Sequence, residues 1–192
     1  SPNPAEYANI LEYAGIVFKN IDSNFFIISA GLDNAAPTIP GVYMNSHTFL
    51  DAMFAFSQTV FSNVDGISSH AYPNPGFRQP PSFNSKLGTG SFLYDQEHIF
   101  ALSGKNLPVF ITETGWSTDT LTEAQVSTYY TQAFTTVWDN PSIVAITPFL
   151  LRAEMGPFRG FSFIRNNSET VMFQAIKNIP KVKGMPTILL PA

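Results

Sequence analysis

Glu113 closes the run Val109-Phe110-Ile111-Thr112, and Gly115 and Trp116 follow at once. If Val109, Ile111 and Glu113 share one strand face, the apolar pair packs a core and the acid stands at the carboxyl-end rim. That rim is where α/β folds bind ligands. The competing reading of Glu113 is a solvated loop acid. Thr112, Gly115 and Trp116 weigh against it, because glycine allows a sharp turn that leaves the indole near the rim. A flat indole suits the CH face of a sugar ring; the alternative for Trp116 is a packed loop anchor.

His70 and Tyr72 lie two apart at the end of another apolar run, so both point the same way. If Glu113 faces the same space, their donors favour its ionised form. An ionised, oriented carboxylate is what a nucleophile needs. Taken singly, a satisfied core His and a turn Tyr leading into Pro73-Asn74-Pro75 are the plainer readings. Together at a strand end they favour a site. Asp33 and Asn34 follow the first strand as candidates for substrate hydroxyls. Arg152 and Glu154 follow the fourth, either lining the same rim or forming a solvated pair. His47 and His98 fall in helical patterns and are expected to face solvent.

These residues need a scaffold, and the pattern supplies one. Helical spacing covers residues 4–20 (with Tyr7, Ile10, Leu11, Ala14, Val17 and Phe18 as the apolar stripe), 47–62, 92–102, 122–139 and 171–179. Pro4 suits a first turn, and Thr122 with Gln125 reads as a capping box. Short apolar strands are expected at FFIISAG (25–31), VDGISSHAY (64–72), PVFITE (108–113) and SIVAITPFL (142–150), with GFSFI (160–164) strand-like. Alternating helices and strands mean βα units and a parallel sheet. Four strands are too few for a closed barrel of eight, which leaves a small open sheet or half a barrel. The expected division is one domain over 1–180 and an extended tail over 181–192.

Composition narrows the function. The chain has 192 residues, 44% apolar and 12% charged, with 18 Phe, which describes a well-buried protein. A net charge of −4 and ten scattered Lys and Arg make nucleic-acid binding unexpected. The absence of Cys removes disulfides, thiolate zinc and thiol nucleophiles. The three His show no metal spacing, so neither metal nor cofactor is expected. No apolar run reaches the roughly 18 residues that cross a membrane. The chain starts at Ser1 without Met or signal peptide, which suggests a processed or excised piece. Asn166-Asn167-Ser168 is the one N-glycosylation triplet.

His-Ala-Tyr ending one strand and Thr-Glu-Thr-Gly-Trp ending the next resemble the large clan of (β/α)₈-barrel retaining glycoside hydrolases, clan A, with its cellulases, β-mannanases, β-xylosidases and β-glucosidases. In that clan the nucleophile Glu ends the seventh strand, and the acid/base Glu ends the fourth in an Asn-Glu-Pro motif. A His-x-Tyr pair commonly ends the sixth. The resemblance implies that Glu113 is the nucleophile, that His70 and Tyr72 position it, and that the four strands are strands five to eight of a half-barrel. It also implies a β-linked oligo- or polysaccharide substrate and an extracellular or cell-surface setting.

Two features depart from that pattern. There is no Asn-Glu dipeptide, so the acid/base residue is expected upstream of Ser1. The clan's eighth-strand Trp is replaced by Phe149. Retaining hydrolysis needs two carboxyl groups about 5 Å apart, and general acid catalysis contributes about 10²–10⁴-fold. The 192 residues alone are therefore expected to be nearly inactive. A half-barrel also leaves unpaired edges, so it must dimerise, pair with a missing amino-terminal half, or be part of a longer chain. The last is the expectation. The competing function is a non-catalytic carbohydrate-binding or assembly module. An unrelated open α/β hydrolase is weaker, for want of a Gly-x-Ser-x-Gly elbow or phosphate loop.

Overall fold

A computed structural model describes residues 1–180; the tail at 181–192 lies outside the described residues. Five α-helices surround a three-stranded, wholly parallel sheet. The first helix, α1 (Pro4–Ile21), starts where Asn3 accepts a hydrogen bond from the Glu6 N–H at 3.1 Å, with Pro4 in the first turn. Ala8, Leu11 and Gly15 form its buried stripe. Ile10 and Phe18, expected inside, face out, so the apolar seam is narrower than the spacing implied.

The next helix, α2 (Ser46–Phe56), packs on α1 and stops well short of residue 62. Side chains end it. Ser57 and Thr59 donate to Glu12 Oε1 at 2.8 and 2.6 Å, an alternative to continuing the helix. FFIISAG also departs from expectation. It runs parallel to the sheet edge but makes only an isolated bridge, Ile28 to Gly66, followed by Asp33 to His70 just past its end, instead of a ladder. Part of its hydrogen bonding goes to a side chain, with the Ile27 N–H donating to Asp65 at 2.8 Å.

The sheet is β1 (Ile67–His70), β2 (Val109–Thr114) and β3 (Ile143–Pro148), in that spatial order. Between them lie α3 (Ser91–Ser103), which ends on Gly104 in the left-handed region, and α4 (Glu123–Thr135). The Thr122–Gln125 capping box forms in full. Past α4 the chain turns, and Trp138 buries its indole with the N–H donating to the Thr89 carbonyl at 3.1 Å. GFSFI is mostly not a strand: residues 159–161 form a 3₁₀ turn. The short hairpin β4 (Ile164–Arg165) and β5 (Ser168–Glu169) follows, then α5 (Val171–Asn178), which packs on α4.

Val109, Ile111, Phe92, Val126 and Tyr130 share one core. On α1, Ile10, Tyr13 (72% exposed) and Ile21 face out, and Phe25 and Phe26 extend that apolar surface along the sheet edge. None of the described helices is long and apolar enough to cross a membrane.

Candidate active site

The site lies at the carboxyl ends of β1 and β2, and two irregularities build it. The β1–β2 ladder runs Ile67 to Val109, Ser68 to Phe110 and Ser69 to Ile111, then skips a residue so that His70 meets Glu113. The β2–β3 ladder shifts over the same stretch, between Ile111 and Thr114. Bulges re-aim side chains in this way. Val109 and Ile111 are buried in the core, whereas Glu113 is 38% exposed at its side chain and borders a cleft. The expectation of one shared face thus fails at the last residue, because the bulge breaks the two-residue period. Thr114 takes the inward place, its hydroxyl donating to the Ala71 carbonyl at 2.7 Å.

Glu113 then meets both partners. The Tyr72 hydroxyl donates to Glu113 Oε2 at 3.0 Å. His70 Nδ1 stands 3.7 Å from the same oxygen, an ion-pair separation too long for a hydrogen bond. Burial first, then the Glu113 charge and hydrogen bond, push the Tyr72 hydroxyl far above its ordinary range. Tyr72 is therefore a neutral donor throughout the physiological range. Gly31 lets the His70 ring lie close against residues 28–33, since a Cβ there would overlap it.

The cleft measures about 390 Å³. Asp33, His70, Tyr72 and Glu113 are its polar members, and Phe77, Phe149, Phe158 and Phe161 make up the rest of its wall. Phe149 packs edge-on against Tyr72, Phe158 and Phe161 with centroids 6.1, 5.4 and 5.5 Å away. Phe77 in the cleft wall and Leu150, next in sequence to Phe149, hold φ of 54° and 67°, a costly region for bulky side chains.

Three residues proposed for substrate lie elsewhere. Trp116 is 1% exposed and belongs to the core, its indole N–H donating to the Gln79 carbonyl at 2.7 Å and its ring edge-on to Tyr130. It cannot offer a face to a sugar in this conformation. Asn34 is 5% exposed and its amide is committed: it donates to the Tyr72 carbonyl at 3.0 Å and accepts from Asn74 at 3.1 Å. It supports the Tyr72 loop. Glu154 pairs with Arg152 and borders a different cavity. Asp33 and Phe149 do face the cleft.

Phe77, Phe158 and Phe161 were not singled out from sequence. Each follows a turn residue, in Gly76-Phe77, Gly156-Pro157-Phe158 and Gly160-Phe161, and a phenyl ring carried on a tight turn is the signal that marks them. Neither His47 nor His98 belongs to the cleft. They stack on each other at 4.3 Å, paired with Asp95 and Asp51. Among the described residues no group of three or more His, Asp or Glu is placed to hold a metal ion.

Three solved glycoside hydrolases share this fold at low sequence identity. A GH128 (subgroup II) endo-β-1,3-glucanase from Sorangium cellulosum superposes with a TM-score of 0.64 at 17% identity, covering 93% of this chain and 63% of that one. A family 39 glycoside hydrolase from Bacteroides cellulosilyticus WH2 gives 0.51 at 14% identity, covering 91% and 45%. A family 51 α-L-arabinofuranosidase from Bifidobacterium longum gives 0.54 at 12% identity, covering 90% and 39%. The chain has a glycoside-hydrolase-like α/β fold and spans less than two thirds of each of these proteins. No protein-family description matches the sequence, and no curated protein is detectably similar to it.

Proposed function

We propose that the chain is the carboxyl-terminal half of a retaining β-glycoside hydrolase barrel, with Glu113 as the nucleophile. The observation that carries this reading is the 3.0 Å hydrogen bond from Tyr72 to Glu113 across the ends of neighbouring parallel strands. It fixes one carboxylate oxygen and leaves the other for chemistry. In the reaction that oxygen attacks the anomeric carbon while an acid protonates the departing glycosidic oxygen, giving a glycosyl ester on Glu113. Water, deprotonated by the same acid/base residue, then releases the sugar with retained configuration.

That second carboxyl group is assigned to a strand preceding Ser1. The apolar face of α1 and the one-sided pairing of residues 28–33 support a further half-barrel docking there. So does the fraction of each neighbouring structure that the chain spans. A β-linked glucan is the favoured substrate class, supported by the phenyl wall and by the endo-β-1,3-glucanase neighbour.

An activated 2-deoxy-2-fluoro-β-glucoside, incubated with the full-length protein and followed by peptide mass mapping, tests the assignment. The label is expected on the Glu113 peptide, and Glu113→Gln is expected to lower turnover by about 10⁴-fold or more. Label on a different carboxylate, or undiminished turnover in Glu113→Gln, overturns the nucleophile assignment. Oligosaccharide binding with no turnover in the wild type identifies a carbohydrate-binding module instead.

A further inference from the structure

The loop after β3 shapes a second cavity of about 330 Å³. It shares no lining residue with the Glu113 cleft but adjoins it through the consecutive residues Phe158 and Arg159. Three of the chain's four arginines, Arg152, Arg159 and Arg165, line it, in a protein of net charge −4. Glu154 is the single acid in its wall.

The arginines are held differently. Arg165 is a fixed post, its guanidinium donating to Glu123 Oε1 at 2.8 Å and Thr118 Oγ1 at 2.7 Å, with its Nε buried and unpartnered. Arg152 pairs with Glu154 at the exposed rim. The Arg159 guanidinium has no hydrogen-bond or ion-pair partner among the described residues. Beside it, Asn166 and Asn167 form the two-residue β4–β5 turn with φ of 49° and 59°. Their exposed carboxamides likewise have no partner among the described residues.

The cavity thus presents unused planar donors around one free positive charge. A guanidinium matches a two-oxygen anion such as a carboxylate or sulfate, and an uncharged ligand would leave that match unused. We propose that this cavity binds the anionic substituent of a glycan, a uronate carboxylate or a sulfate ester, whose backbone lies in the Glu113 cleft. The proposal rests on the glycan reading of that cleft and specifies an acidic polysaccharide as the substrate.

Two measurements on the full-length protein decide it. Titration with glucuronate, inorganic sulfate or neutral glucose, read through the arginine Nε–H NMR resonances, reports on the cavity independently of the cleft. The Arg159 resonance is expected to shift saturably with an anion and not with glucose, and the tighter anion names the substituent. No saturable shift with either anion overturns the assignment. Calorimetry then compares a uronate-bearing β-glucan oligosaccharide with its neutral counterpart. The wild type is expected to prefer the acidic ligand by about five- to tenfold, an exposed charge-assisted contact. Arg159→Ala should erase that preference and leave neutral affinity unchanged, whereas Glu154→Gln should strengthen the acidic ligand alone. Equal losses for both ligands in Arg159→Ala reduce Arg159 to a loop support and sink the proposal. If neither oligosaccharide binds while the resonance still shifts, the anion cavity stands and the glycan reading of the cleft fails.

Discussion

The loop after β2 and the loop after β3 both carry aromatic rings past the same rim. After β2, Trp116 turns into the core, where Tyr129, Tyr130 and Trp138 surround it with centroids 5.7, 5.0 and 5.8 Å away. After β3, Phe158 remains 53% exposed and Phe149 lines the open cleft. The indole needs a partner for its N–H when buried, and the Gln79 carbonyl provides one. Gly115 makes the inward turn sterically possible, since a Cβ there would stand 2.9 Å from the Tyr130 hydroxyl. Phe149 and Phe158 carry no such donor and stay at the cleft, whereas Phe161 of the same loop is buried at 5% exposure. Proximity to Glu113 in sequence therefore does not decide which ring a ligand can touch; the packing behind the ring does. The two loops are also tied together, the Thr118 N–H and hydroxyl both donating to the Gly160 carbonyl at 3.1 and 3.0 Å.

The sharpest way to break this contrast is to remove Trp116. Trp116→Ala should destabilise the protein by about 3–5 kcal/mol, the cost of emptying a fully packed aromatic site. Urea denaturation of the full-length protein measures it. A loss below about 1 kcal/mol, accompanied by lost oligosaccharide binding, would make the indole a sugar platform after all.

A smaller effect comes from Tyr130, in contact with Trp116 on the buried side. Burial pushes its hydroxyl well above the ordinary tyrosine range, opposed by a hydrogen bond with the Trp116 backbone. In the unfolded chain the same group releases its proton near pH 10. Above that pH the unfolded state binds fewer protons than the folded one, so this stabilisation is complete below about pH 10 and fades at higher pH. The expected slope is about 1.4 kcal/mol per pH unit for each such tyrosine. Tyr7 and Tyr72, also raised by burial, act on the same alkaline limb. Tyr130→Phe should flatten the limb by one tyrosine's share in denaturation curves at pH 10–11. An unchanged slope would mean that Tyr130 titrates normally and the Trp116 pocket is wet.

Sequence periodicity carried the scaffold further than it carried the site. Three parallel strands and five helices follow from apolar spacing, and the Thr122 cap and the Pro4 turn follow from local chemistry that tertiary packing left alone. Glu113, His70 and Tyr72 were legible because strand ends in a parallel sheet converge on one rim. The bulge that brings His70 opposite Glu113 was not, since a one-residue slip leaves no mark in the hydrophobic pattern. FFIISAG reads as a strand because its residues suit one, yet a ladder needs partners that composition does not reveal. Trp116 was misdirected for the same kind of reason. Its slot is built by Tyr129 and Tyr130 of α4, residues whose faces are fixed only after the helix docks.

Phe158 offers the gentlest test, and the one that separates the two loops most cleanly. Its ring stands half out of the protein, so Phe158→Ala should change stability by no more than about 0.5 kcal/mol, the usual range for exposed positions. If the phenyl wall receives a sugar face, the same substitution should weaken oligosaccharide binding by about 0.5–1.5 kcal/mol, the scale of an aromatic stacking contact. Paired denaturation and calorimetry on one preparation read both quantities. Affinity lost without stability marks Phe158 as a ligand surface, the converse of Trp116. Stability lost together with affinity would show that Phe149 and Phe161 depend on Phe158 for their own positions, and the contrast between a buried anchor and an exposed platform would fail at its second half.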